Sequence, residues 1–414
     1  MSISRASFAI MAGASMAGIQ VAGPALAQEP IHDRLAVAWN DWKAGSDLAR
    51  AMSTAPPWAF ETDPLDTGPE IVMRFAGDRL YAVSTTDDTI SVVAPDTWVI
   101  ERVYSLSEGS EPLDIAVVSA DTAYVTRRAA THLLRLDLET GGSEEVVDLG
   151  IFADPDGVPD MAMMALHEGR LLVQIRRIGG PGWQFVPPAY LAVVDVATEQ
   201  LVDVDPVAPG VQAIELEGTA PKFKMQIVPE TRRLFVSATG EAFDEGGIEM
   251  IDLDTLQSVG LAVREIDDTT GVDLGAFVMV APDRGYLTFT TDLLLSSHLV
   301  AFSVPGGVDP TPLHTTLEYF TPVMVHDART DTFFFPESGG PGAWGVHVFD
   351  ATSGARLTTE PIATGGPPTD LALLCDGDCA ESAEIPAVSH WGMAVMVLLM
   401  LCAATIGLGR RRPV

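Results

Sequence analysis

Between residues 70 and 374 short apolar runs alternate with polar turns, and the same order of runs returns several times. RLYAVSTTDDTISVVAPDTWVIERVYSL is followed by TAYVTRRAATHLLRLDLETGGSEEVVDL. RLLVQIRR with AYLAVVDVATEQLVDV and RLFVSATG with GGIEMIDLDTLQSVGLAV come next. GYLTFTTDLLLSSHLVAFSV and TFFFPESGGPGAWGVHVFDATSGARLTT complete the series. Each unit reads as an apolar strand, a polar loop, a strand ending in V-D or L-D, a turn and an outer strand. A further strand precedes the unit, as in PLDIAVV before Asp121 and GAFVMVAPD before Arg284. Period-two alternation puts Leu134, Leu136 and Leu138 on one face of a sheet. In turns such as DLETGG and DATSGA, Asp is expected to cap the turn and Gly to take positive φ.

The repeat runs from about 40 to about 60 residues, the range of a four-stranded propeller blade. A small twisted sheet cannot bury both faces alone, so such sheets stack around an axis. The expected fold class is therefore all-β, a β-propeller over 70–374. Six units lie between Glu70 and Ile362, and TDLALL (369–374) begins another strand. A seventh blade would need strands from before Glu70. There LAVAWNDWKAGSDLARAM reads as helical, so residues 28–69 are expected to be an N-terminal extension and the count is six or seven.

The ends follow other rules. Arg5, a mildly apolar stretch from Phe8 to Val21, and Ala25-Leu26-Ala27 before Gln28 make residues 1–27 a secretory signal peptide, cleaved after Ala27. Residues 391–409 contain no charge, and as a helix they would be about 28 Å long, enough to span a bilayer. Arg410, Arg411 and Arg412 follow, so residues 410–414 are expected to be a cytoplasmic tail, with the body outside. The linker 375–390 contains CDGDC. In an oxidising compartment Cys375 and Cys379 could close a local disulfide; two free thiols or two metal-binding thiolates are the alternatives.

With a net charge of −33 the chain lacks the basic face that nucleic acid requires. Catalytic motifs are missing: there is no G-x-S-x-G, H-E-x-x-H or phosphate loop. The eight histidines (His32, His132, His167, His298, His314, His326, His347 and His390) are scattered, and are expected to face solvent or be satisfied in the core. Asp154, Asp156 and Asp160 in DPDGVPD could ligate calcium, but the EF-hand frame and a far Glu are absent, so a solvated loop is favoured. No cofactor is otherwise expected. Met161 and Met163 should alternate into the core, and Met164 adjoins them. GGPGW and GGPGAW resemble each other as loop excursions, which makes Trp183 and Trp344 candidate binding residues on one face of the disc.

Two resemblances add to this. The pattern Y-V-T/S…V-x-D-x-x-T-G resembles YVTN-type propeller repeats of the YncE and lactonase-like kind found in bacterial surface and periplasmic proteins. It implies the fold and leaves the activity open. The tail is similar to IPTL-CTERM sorting signals, relatives in form of PEP-CTERM tails, at Ile385, Pro386, Ser389, Trp391, Gly392 and the three arginines. It departs from them at Ala387, Val388 and His390. This resemblance implies a processing enzyme of the exosortase kind as partner and a place in the cell envelope. The function expected is non-catalytic binding or envelope organisation by an exported, anchored propeller. A lactonase-like enzyme, an amine-dehydrogenase-type subunit, and a carbohydrate or matrix binder are the alternatives.

Overall fold

A computed structural model describes residues 31–179, 184–240, 246–265, 273–290, 296–317, 323–340 and 342–376. They build seven antiparallel blades. In blade 1 the order from axis to rim is Ile71–Ala76, Arg79–Ser84, Thr89–Ala94 and Val99–Ser105. The innermost strands of blades 2 to 6 are Pro112–Val117, Met161–His167, Ala220–Val228, Asp273–Ala281 and Val325–Asp327. Among the described residues no helix is long and apolar enough to cross a membrane.

Blade 7 settles the blade count and corrects the helical reading. Its innermost strand is Pro368–Asp376, and its outer three are Ile31–Asp41, Ser46–Ser53 and Leu65–Gly68. The ring is thus closed by both ends of the chain, and the segment expected to be an extension is part of it. Alanine content misled: Ala is a good helix former, but here it is the residue small enough for a sheet packed on both faces. Ala36, Ala38, Ala49 and Ala51 pack against Ile71, Met73 and Leu80 of blade 1. Alternate residues Leu35, Val37 and Met52 pack against Phe334, Val346 and Val348 of blade 6. Likewise Leu134, Leu136 and Leu138 share one face and meet Tyr81 and Val83 of blade 1, as their spacing implied.

The repeated turn between the third and fourth strands works as expected, with one extension. Asp137, Asp195, Asp252 and Asp350 accept the N–H of Thr140, Thr198, Thr255 and Ser353 at 2.7–2.8 Å. The residue four after each Asp takes positive φ, 79° at Gly141 and 71° at Gly354. In the other two copies a side chain bears that conformation, 53° at Glu199 and 55° at Leu256.

Neighbouring blades are pinned near the axis by a recurring bond. A carboxylate or amide of one innermost strand accepts a backbone N–H of the next: Asp370 from Met73 at 2.6 Å, Asp114 from Met164 at 2.7 Å, and Gln226 from Met279 at 2.7 Å. Met161 and Met164, rather than Met161 and Met163, share the core. A bulge between Met161 and Met164 shifts the alternation and places Met163 Sδ 3.5 Å from Arg74.

Candidate functional site

Strand direction gives the disc two distinct faces. Innermost strands begin at an upper face, which also carries the second-to-third-strand connections. The opposite, lower face carries the other turns. Ile31 pairs with Asp376, so the described chain enters and leaves at the lower face.

On the upper face, three strands from two blades bring together His314, Glu337 and His347. His314 opens the rim strand His314–Thr316, which pairs with the third strand of blade 5. Glu337 ends the second strand of blade 6, Thr332–Glu337, and pairs with Gly345. His347 lies two residues beyond Gly345 and so shares the Glu337 face. Their ligand-type atoms all lie within 4.8 Å of one another. The side chains of His314 and Glu337 are 13% and 6% exposed, and His347 is buried. Beneath them lie Phe333, Phe335 and Phe349.

The cluster is wired as a polar network. His314 Nε2 and Glu337 Oε2 are 2.6 Å apart. Arg356 offers an N–H to His314 Nδ1 at 3.3 Å, which makes Nε2 the protonated nitrogen. Glu337 Oε1 accepts from Thr316 Oγ1 and from the Gly339 N–H at 2.9 Å. His347 Nδ1 is bonded to Thr358 Oγ1 at 3.0 Å. Burial works against the Glu337 carboxylate, but the bonds from His314 and Thr316 outweigh it and hold its pKa below the usual glutamate value. Burial, reinforced by His314 and Arg356, pushes His347 down to about 4. A neutral imidazole, a carboxylate and a second imidazole in one seat can hold a proton or a metal ion.

Two ion pairs stand on the innermost strands. Arg74 Nε meets Asp114 Oδ1 at 2.7 Å and Arg74 Nη2 meets Asp114 Oδ2 at 2.8 Å, joining blades 1 and 2. Lys222 pairs with Asp273 where the innermost strands of blades 4 and 5 begin. Beside them Glu265 Oε1 accepts the Leu274 N–H at 2.7 Å, and burial pushes this carboxyl up to about 7.

Trp344 stands in the upper-face connection of blade 6, half-buried, edge-on to Trp42 with ring centroids 5.6 Å apart. Trp42 comes from the corresponding turn of blade 7 and is 71% exposed. Trp183 falls in the corresponding connection of blade 3 but lies outside the described residues. The expected signal peptide with Ala25, Ala27 and Gln28, the expected sorting motif within 385–392, the apolar run and the terminal arginines lie outside them too, as do Cys379 and the side chain of Cys375.

The DPDGVPD segment is a blade connection, but it is less solvated than expected. Asp154 and Asp160 are buried and only Asp156 is exposed. Asp160 accepts the Ile178 N–H at 2.6 Å, and burial pushes it up to about 6. Burial raises the pKa of Asp154 and the neighbouring Asp156 raises it further, but the three carboxylates form no donor trio; the one converging donor trio among the described residues is His314–Glu337–His347. Sequence reading left these histidines scattered because 23 residues separate His314 from Glu337 and the third donor sits across a hairpin. The usable signal was Glu and His at two ends of the GGPGAW loop.

No family profile matches the chain. No curated protein matches it in sequence. Solved structures do match in shape. A 6-phosphogluconolactonase candidate from Bacteroides fragilis gives a TM-score of 0.54 at 9% identity, over 82% of this chain and 98% of that one. A Lactobacillus plantarum protein gives 0.53 at 16% identity, over 83% and 99%. A quinoprotein alcohol dehydrogenase-like protein from Bacteroides thetaiotaomicron gives 0.52 at 11% identity, over 83% and 78%. At such identities the likeness is one of fold: this chain is a seven-bladed β-propeller.

Proposed function

We propose that this chain is an exported propeller of the YVTN-like kind, held at the cell envelope by its C-terminal segment, that acts by binding through its upper face. The observation that carries the reading is the pairing of Ile31 with Asp376. It puts both attachments of the disc on the lower face. An anchor following residue 390 then leaves the upper face, with Trp42, Trp344 and the His–Glu–His cluster, pointing outward. Fully extended, residues 377–390 would reach about 50 Å, enough to stand the disc off a bilayer. Pairing of Asp114 with Arg74 and of Asp273 with Lys222 supports binding over catalysis by these two carboxylates, since a general base has to be free to take a proton.

Cell fractionation with an intact mass of the native chain tests this. A mass from Gln28 to Val414 in membranes supports a plain anchor. A mass ending near Ile385 in the envelope or medium supports a processed sorting signal. A chain that keeps Met1 and stays in the cytosol sinks the proposal.

One observation favours a second reading, an enzyme. Glu265, its carboxyl pushed up to about 7 by burial beside the Lys222–Asp273 pair, has the pKa of a general base. Two shape relatives carry enzyme-like names, a lactonase candidate and a dehydrogenase-like protein. Hydrolysis of sugar lactones that is lost in Glu265→Gln would select this reading.

A further inference from the structure

We infer that His314, Glu337 and His347 form a site for one divalent transition-metal ion of the zinc class, seated between blades 5 and 6. Two imidazoles and one carboxylate are a borderline donor set, suited to zinc rather than to calcium or magnesium, which prefer all-oxygen shells. Among the described residues the trio has no fourth donor, one short of the closed four-ligand sets of structural zinc sites.

The surroundings already orient two of the three donors. Thr316 and the Gly339 N–H engage Glu337 Oε1 and leave Oε2 turned toward the histidines. Thr358 holds His347 by Nδ1 and leaves Nε2 for the ion. Partners on the outer atoms are what fix metal ligands in place. Scale agrees as well. Zinc–ligand bonds of about 2.0–2.1 Å in a tetrahedron set donors roughly 3.3 Å apart. The three donors lie within 4.8 Å, so small side-chain rotations close the site. The 2.6 Å His314–Glu337 contact must widen by about 0.7 Å as the ion takes the place of the bridging proton.

One residue opposes binding. Arg356 faces His314 Nδ1, the nitrogen that has to carry the proton once Nε2 is metal-bound. Arg356 is exposed, so it can turn into solvent, but until it does it competes with the ion.

The test uses the full-length chain in mild detergent, stripped with chelator and titrated with zinc alone. Because Cys375 and Cys379 could bind zinc themselves, it is run in parallel on a Cys375→Ser/Cys379→Ser chain. One zinc per chain, retained in the serine variant, is expected. Glu337→Gln and His347→Gln should abolish the stoichiometric uptake. Thr358→Val should weaken it by about 10–100-fold, and Arg356→Ala should tighten it. Cobalt reads the site without any ligand variant: a four-coordinate spectrum free of thiolate charge-transfer bands is expected. No uptake, uptake lost with the cysteines, or uptake unchanged in both Glu337→Gln and His347→Gln overturns the inference. Purified protein is used throughout, so the result is independent of where the chain resides in the cell.

Discussion

Replacing Asp114 tests whether the charges around the axis are structural pins. Asp114 is fully buried, and its partner Arg74 is 18% exposed. The carboxylate holds the guanidinium through two oxygens and accepts the Met164 N–H, so one side chain ties three consecutive innermost strands together. Asp114→Ala leaves that N–H unpaired, which costs about 1–3 kcal/mol. It also strands Arg74 in a seat with little water. Breaking a buried pair from one side costs about 3–5 kcal/mol in total. Asp114→Asn keeps one carbonyl oxygen and should cost about half as much, the remainder being the lost charge. Arg74→Met alone should also be destabilising, since it leaves the carboxylate buried without its cation. The double variant Asp114→Asn/Arg74→Met should recover part of the loss, with a coupling energy above about 1 kcal/mol. Urea unfolding of the full-length chain, read as the midpoint shift at unchanged slope, measures all four. If Asp114→Ala lies within about 1 kcal/mol of the parent chain, the pinning argument is wrong, and the pair would then be free for a role in the channel.

Other outcomes follow from the same contacts. Ala36→Leu should cost about 1–3 kcal/mol by overpacking the seam between blades 7 and 1; a thermal unfolding midpoint that does not move would deny that seam. A Glu265 carboxyl raised from 4.5 to about 7 gives stability that is full below pH 4.5 and lost as pH rises toward 7. That amounts to about 3 kcal/mol, so Glu265→Gln should flatten the stability profile across this window in urea titrations at stepped pH. The turn aspartates act with the opposite sign. Bonds from turn N–H and hydroxyl groups lower the pKa of Asp137, Asp195, Asp252 and Asp350, so their contribution is present above the ordinary aspartate pKa and lost in acid. Circular dichroism should show acid unfolding setting in below about pH 4, and later in a chain with the four residues changed to Asn. Trp42→Ala should leave the unfolding midpoint within about 0.5 kcal/mol of the parent, because the ring is 71% exposed, while changing the Trp344 emission.

The sequence by itself determined the blade. Alternation in HLLRLD divides Leu133 from Leu134 and Leu136, and the structure sends the first to blade 3 and the other two to blade 1. The Asp of each hairpin turn was legible because turn chemistry is local: its partners are two and three residues away. Ring closure was not legible. Whether Leu35–Trp39 forms a helix or a strand depends on Leu371 and Leu373, more than 300 residues distant, offering it an edge to pair with. Helix propensity acts over a few residues, but the free energy of that edge exists only once the ring has formed. The His314–Glu337–His347 seat shares this property. Three unremarkable residues acquire chemistry because blade 5 lends its rim strand to blade 6, and no spacing rule along the chain encodes a contact made across a ring.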